Sequence, residues 1–428
     1  MTASTTVIRT GPVRYATAER FARPRPVAGP GPFPASGEIC PQLPSRLDAV
    51  MGPPLDSHPQ GEDCLNLAIT TPARDSGARP VLVWFHGGGF SSGAGLMDWY
   101  DGGALAAQGD VVVVSANYRL GAFGYLCLDG VSDGNLGLYD QLEALRWVSA
   151  HIAAYGGDPG NVTVVGQSAG GLSIRLLLDM PEAKGLFRRA ILQSAPLALA
   201  ARPREDARTV GRLFADFLAS DPRTADVTAI LAAQRETALA NLRRSGNAMQ
   251  PAFTPVHEAD PLHEPGPAFD ENVRGLDVMY GWNLDDMTAF AGKGKGGGGG
   301  KGRSEGEGEI EVEGVVEGGD TAELTRRAYE EPLTLFGARL AQAGGHVHAY
   351  RLDWRPPGSP FGATHCVELP LLFGSREAWR ASPMLGDADW EDVDKLGSAL
   401  RTTWITFART GALGPMVESA PWVISRPG

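Results

Sequence analysis

The order of elements around residues 81–180 leaves few folds open to this chain. Three short apolar-rich runs, Val81–Phe85, Val111–Val114 and Val162–Val165, alternate with segments of helical period. The runs show little polar alternation, as expected of strands buried on both faces of a parallel sheet. Between the second and third, Leu142, Leu145, Val148 and Ile152 recur at spacings of three, three and four, which is one face of a helix over Asp140–Tyr155. Gly156-Gly157 and Asp158-Pro159 then stop that helix. Gly170–Met180 reads as the next helix, and 205–245 as a longer helical excursion. His346–Trp354 reads as a late strand, and Leu400–Ala408 as part of a last long helix stopped at Gly411. Strands alternating with helices predict an α/β fold, a mostly parallel central sheet with helices on both faces. Residues 1–78 are rich in proline and read as loop.

Composition narrows the function. The chain has 428 residues, 43% of them hydrophobic and 21% charged. That is enough apolar content for a large core, which excludes wholesale disorder and a small disulfide-stapled fold. A net charge of −12 with no basic run argues against nucleic acid and against an anionic membrane surface as partners. No stretch reaches the roughly 18–20 apolar residues of a membrane span, and the N-terminus lacks the apolar core of a signal peptide. A cytoplasmic location is expected, with secretion left open. The four cysteines, Cys40, Cys64, Cys127 and Cys366, form no CxxC pair, so neither a metal nor a redox site is expected. One segment fits no element. Residues 292–319 hold 13 glycines and 6 glutamates and present no apolar face. Such a stretch buries too little surface to offset its ordering entropy, so it reads as a disordered insert within a single domain spanning 1–428.

The chemistry enters through a serine motif. G-x-S-x-G occurs three times, around Ser91, Ser168 and Ser304. Ser304 lies in the glycine-rich segment, and Ser91 follows a glycine loop with no helix directly after it. Only Ser168, in Gly166-Gln-Ser-Ala-Gly170, sits between an apolar strand and a helix. A nucleophilic serine needs that sharp turn to lift its hydroxyl above the sheet. The helix start then brings the Ala169 N–H and the positive dipole end toward a developing oxyanion. A second signal is His86-Gly87-Gly88-Gly89, directly after the first strand. Glycines there let backbone N–H groups approach a substrate and converge on one point. Of the eight histidines (58, 86, 151, 257, 263, 346, 348, 365), His365 alone follows a late strand and a loop. His346 and His348 fall inside that strand, where a structural role is expected, and His86 belongs to the glycine loop, which it is expected to shape.

With these motifs in hand, the chain resembles the type-B carboxylesterases, the family that includes the cholinesterases. The similar strings are Cys40-Pro41-Gln42, Glu62-Asp63-Cys64-Leu65-Asn66-Leu67, VWFHGGGF at 83–90, NYRLGAFGYL at 117–126, GNLGLYDQLEALRWV at 134–148, YGGDPGNVTVVGQSAGG at 155–171, ILQSAP at 191–196 and HCVELPLLFG at 365–374. The resemblance implies an α/β-hydrolase fold and hydrolysis of small to medium carboxylic esters, with no metal or cofactor. It implies Ser168 as nucleophile, His365 as base, and Gly88, Gly89 and Ala169 as oxyanion donors. It places the acid at Asp286, one methylene shorter than the usual Glu, with Asp285 as rival. The order Ser168, Asp286, His365 is the fold's order. Cys366 and Met287 stand where the family has glycine, and Gln167 where cholinesterases carry Glu. The family implies a Cys40–Cys64 disulfide, and Ser194, in ILQSAP, is expected near the triad with a hydrogen bond to the acid. Residues 197–280 are least family-like and are expected to wall the pocket. A small-molecule ester is the expected partner, and monomer or homodimer is left open. The competing readings are a silent cholinesterase-like binding protein, and a chain whose acid loop is disturbed by the 292–319 segment.

Overall fold

The computed structural model describes residues 6–27, 36–55, 57–262, 267–291, 320–413 and 422–425. The insert expected at 292–319 and the candidate His263 lie outside them. Among the described residues the main sheet has nine strands. In chain order these are β1 (Ile8–Arg14), β2 (Asn66–Thr71), β3 (Arg79–Phe85), β4 (Val112–Ala116), β5 (Gly157–Gln167), β6 (Arg189–Gln193), β7 (Asp277–Asn283), β8 (His346–Leu352) and β9 (Trp422–Ser425). Their order across the sheet is β1-β2-β4-β3-β5-β6-β7-β8-β9. Neighbours from β4 through β8 pair in parallel, and β1, β2 and β9 add antiparallel edges. The parallel strands read as apolar runs because they are buried on both faces: every residue of β3, β4 and β6 is buried.

The longer helices are α1 (Leu136–His151), α2 (Ala169–Leu177), α3 (Arg204–Leu218), α4 (Val227–Ser245), α5 (Glu331–Gln342) and α6 (Trp390–Thr410), of which α1, α2, α5 and α6 pack on the sheet. The 205–245 excursion is the α3–α4 pair, whose two helices pack on each other. The last helix begins where the Asp389 side chain accepts from Glu391 N and ends at Gly411, whose φ of 78° is the left-handed conformation glycine takes freely. One continuous core cluster runs from Val13 to Ala408.

Two expectations need correction. The region read as loop, 1–78, contains β1 and β2. The strand IRTGPVR escapes pattern reading because it is an edge strand: it needs only one partner, Val13 is its one buried residue, and it tolerates Pro12 through a register shift between Thr10 and Val13. The second correction concerns the expected Cys40–Cys64 disulfide. Both cysteines are buried and free. They lie close enough for the two thiols to hydrogen-bond each other, while Cys40 Sγ accepts from Leu120 N at 3.2 Å. Thiol titration of the protein unfolded in guanidinium without reductant should count all four cysteines as free. A count of two would contradict the structure.

Candidate active site

Every candidate residue after β2 leaves the carboxyl end of a parallel strand, where α/β sheets place their ligands. Register does the assembling. Phe85 of β3 pairs with Gly166 of β5, so the His86–Gly89 loop lies beside the Ser168 turn. Gln167 pairs with Gln193, Gln193 with Gly281, and Asn283 with Leu352. The chain then continues from these ends into Ser168, Ser194, Asp286 and the loop to His365.

Ser168 is the N-cap of α2 and holds φ 54° and ψ −120°. That is a strained conformation for a non-glycine residue, kept by Ser168 N donating to Gln193 O at 2.8 Å and Leu172 N donating to Ser168 O at 2.9 Å. Gly170 is required by contact, since a Cβ there would overlap the Phe85 carbonyl. In the glycine loop, Gly88 has φ 106° and a Cβ on it would overlap Ser92 O. Ala169 opens α2, so its N–H has no intrahelical acceptor. The Gly88 and Gly89 N–H groups donate to nothing else among the described residues. His86 shapes this loop: Nδ1 lies 2.7 Å from Gly87 O, and the ring stacks on Tyr118 at 4.3 Å. Burial pushes its pKa down to about 4, so it stands neutral at physiological pH. Of the other two serine motifs, Ser91 turns its hydroxyl to Gly89 O at 2.9 Å, and Ser304 lies outside the described residues.

The structure brings Asp286 and His365 together. Asp286 Oδ1 is 2.7 Å from His365 Nδ1, with both side chains fully buried. Asp286 Oδ2 accepts from Ser194 Oγ at 2.9 Å and from Asn283 N at 2.8 Å, so the carboxylate is fixed on both oxygens. Asp285 points elsewhere. It takes both arms of the Arg355 guanidinium at 2.7 and 2.8 Å and accepts from Ala363 N at 2.9 Å. Burial raises its pKa, but the Arg355 and Ala363 bonds outweigh that and hold it below the usual carboxylate value. Cys366, where the family has glycine, still takes a φ of 74°, which accounts for the family's preference.

His365 Nε2 lies 3.1 Å from the Gln167 side-chain nitrogen, whose other contact is Cys366 Sγ at 3.3 Å. With the Nδ1 proton facing Asp286, the Nε2 lone pair accepts from this amide. Phe290 and Tyr329 pack on the imidazole at 5.2 and 5.5 Å. The cleft above Ser168 is lined by Gly89, Ala169, Leu172 and Phe290 and, from the 197–280 stretch, by Leu199 and Met249. A second cavity of about 290 Å³ adjoins Gly87, Gly88, Gln167 and Cys366. Among the described residues no cluster of three or more His, Cys, Asp or Glu could hold a metal, and no helix is long and apolar enough to cross a membrane.

Sequence reading missed Asn283 and Glu368. Asn283 ties the two loops together, donating to Glu368 Oε2 at 2.6 Å and to Thr364 O at 2.8 Å. No sequence signal marks these contacts, because each joins residues some 80 apart, through Asn283. Glu368 is fully buried, and burial first and the Asp286 charge second push its pKa up to about 7, against an ordinary 4.5. The linkage sign follows. Between about pH 4.5 and 7 the unfolded chain loses this proton while the folded chain keeps it, so wild-type stability falls as pH rises through that window. Glu368→Gln removes the titration. Its Tm relative to wild type should therefore climb across that window and level off above it. A difference flat in pH would contradict the assignment.

This sheet, with a strained serine at a strand-to-helix turn and a buried His–Asp pair on neighbouring loops, defines an α/β-hydrolase. The carboxylesterase family profile matches residues 11–308. The probable N-octanoylanthranilate hydrolase of Rhodococcus erythropolis is 40% identical over 423 residues, covering 97% of this chain and 91% of that protein. The para-nitrobenzyl esterase of Bacillus subtilis is 36% identical over 408 residues, covering 91% and 81%. A solved PNB esterase structure superposes with a TM-score of 0.78 at 30% identity, covering 98% of this chain and 90% of that one. The chain belongs to the carboxylesterase family and is a carboxylic ester hydrolase.

Proposed function

We propose that ester hydrolysis here runs through an acyl-enzyme on Ser168, with His365 as base and Asp286 as its orienting acid. The observation that carries this reading is the buried 2.7 Å pair of His365 Nδ1 and Asp286 Oδ1 beside the strained Ser168 turn. His365 Nε2 takes the Ser168 proton as the oxygen attacks the ester carbonyl. For this the Nε2 lone pair exchanges the Gln167 amide for the hydroxyl of the next residue in the chain, Ser168. Asp286 holds the tautomer and stabilises the imidazolium that forms. The N–H groups of Gly88, Gly89 and Ala169 receive the oxyanion, each worth on the order of 3 kcal/mol. The imidazolium returns its proton to the leaving alcohol, and water repeats the sequence on the acyl-enzyme.

The reading includes a single catalytic unit over 1–428, in which 197–280 forms part of the pocket. The R. erythropolis relative is named for an acyl group on the nitrogen of an aromatic acid, and leaving groups of that aromatic-acid type belong to the proposed substrate class. Steady-state hydrolysis of p-nitrophenyl acetate and butyrate tests the reading. Turnover of at least one is expected, and a folded wild type inert toward both would contradict it.

A further inference from the structure

The cleft above Ser168 contains one charged side chain among the described residues that line it, Arg46. It stands close to the reacting groups: a Cβ placed on Gly89 would lie 3.6 Å from the Arg46 Nη2. Its position is set by neutral partners. Nη1 donates to Ala248 O at 3.1 Å, and the guanidinium lies 5.2 Å from the centre of the Phe290 ring. No carboxylate of the described residues lies within ion-pair distance of it. That contrasts with Arg9, Arg119, Arg175 and Arg355, each of which holds an aspartate. An unpaired guanidinium at the mouth of an otherwise uncharged cleft, in a chain of net charge −12, is a local attraction for anions against the overall field.

We propose that Arg46 binds a carboxylate carried on the leaving-group half of the substrate and so directs the enzyme toward acylated aromatic acids. The guanidinium presents two parallel N–H groups that match a carboxylate. Leu172, Leu199, Met249 and Pro251 offer apolar surface along the same cleft. An aryl ring bearing the carboxylate next to its acylated oxygen places the anion a few bonds from the carbonyl held at Gly89. This deepens the proposed function and rests on it.

The probes are 2-acetoxybenzoate and its methyl ester, which differ in the negative charge and one methyl group, with release of acetate as the reaction followed. The readout is the ratio of their kcat/KM values, anionic over neutral. In Arg46→Ala the ratio is expected to fall about tenfold, mostly through the KM of the anion, and in Arg46→Lys by less, because the charge remains while the fork is lost. An unchanged ratio in the alanine variant overturns the proposal, whatever happens to the two rates separately. Wild type alone supplies a second measurement. Anthranilate should inhibit methyl 2-acetoxybenzoate hydrolysis about tenfold more tightly than methyl anthranilate, with the gap shrinking as salt rises; equal inhibition constants overturn it. Failure of the underlying nucleophile assignment would look different, since hydrolysis of the neutral ester would then survive Ser168→Ala.

Discussion

Ser168→Ala is expected to lower kcat/KM for p-nitrophenyl butyrate by at least about 10⁴, with little change in Tm. The size follows from the mechanism. Removing the hydroxyl removes the acyl-enzyme route altogether and leaves only substrate binding and the N–H groups of Gly88, Gly89 and Ala169. The small stability change follows from the local structure. The Ser168 backbone is held by bonds to Gln193 O and from Leu172 N, which alanine keeps, and relief of a hydroxyl in a turn at φ 54° costs the fold little. A variant that retains a tenth of wild-type activity would place the nucleophile elsewhere.

Asp286→Asn is expected to lower kcat on the order of 10³ to 10⁴, and Asp285→Asn by less than about tenfold. The two residues are adjacent in sequence and differ in what they hold. Asp286 Oδ1 sets the His365 tautomer, and its Oδ2 is fixed by Ser194 Oγ and Asn283 N. An amide at 286 either presents N–H to a ring nitrogen that also carries a proton or forces the wrong tautomer. Asp285 holds Arg355 and Ala363 N, so its loss reads out as stability. Loss of one partly exposed ion pair and a backbone bond is worth on the order of 1 kcal/mol. Equal losses of activity in the two variants would contradict the geometry.

The contrast between these two aspartates shows what was legible in the sequence. The serine turn and the glycine loop could be read because each is a local device, whose glycines, strand and helix lie within a few residues of one another. The sheet was legible through β3, β4 and β5, whose apolar-rich runs mark strands buried on both faces, while β6 and β7 were not read as strands. The acid was ambiguous because Asp285 and Asp286 differ only in which way a short turn after β7 aims each side chain. Arg46 and Asn283 carried no signal, since each meets the site through a tertiary contact, and Glu368, though it lies in the HCVELPLLFG string, showed nothing of its bond to Asn283. The edge strand Ile8–Arg14 was missed for a related reason: it takes its order from β2, and its own residues show no period. The cysteine pair fared differently. The resemblance implied a bond between Cys40 and Cys64, yet a resemblance of strings does not fix the oxidation state of two thiols.

The central claim is that Ser168 carries the acyl group, and a covalent label tests it most directly. Diethyl p-nitrophenyl phosphate delivers a phosphoryl group to an activated serine and leaves an adduct that water removes slowly. Peptide mapping by mass spectrometry after inactivation should find one diethylphosphoryl group, on Ser168, with loss of p-nitrophenyl butyrate hydrolysis in proportion to the label. Complete inactivation with Ser168 unmodified, or labelling at Ser91 instead, would contradict the account.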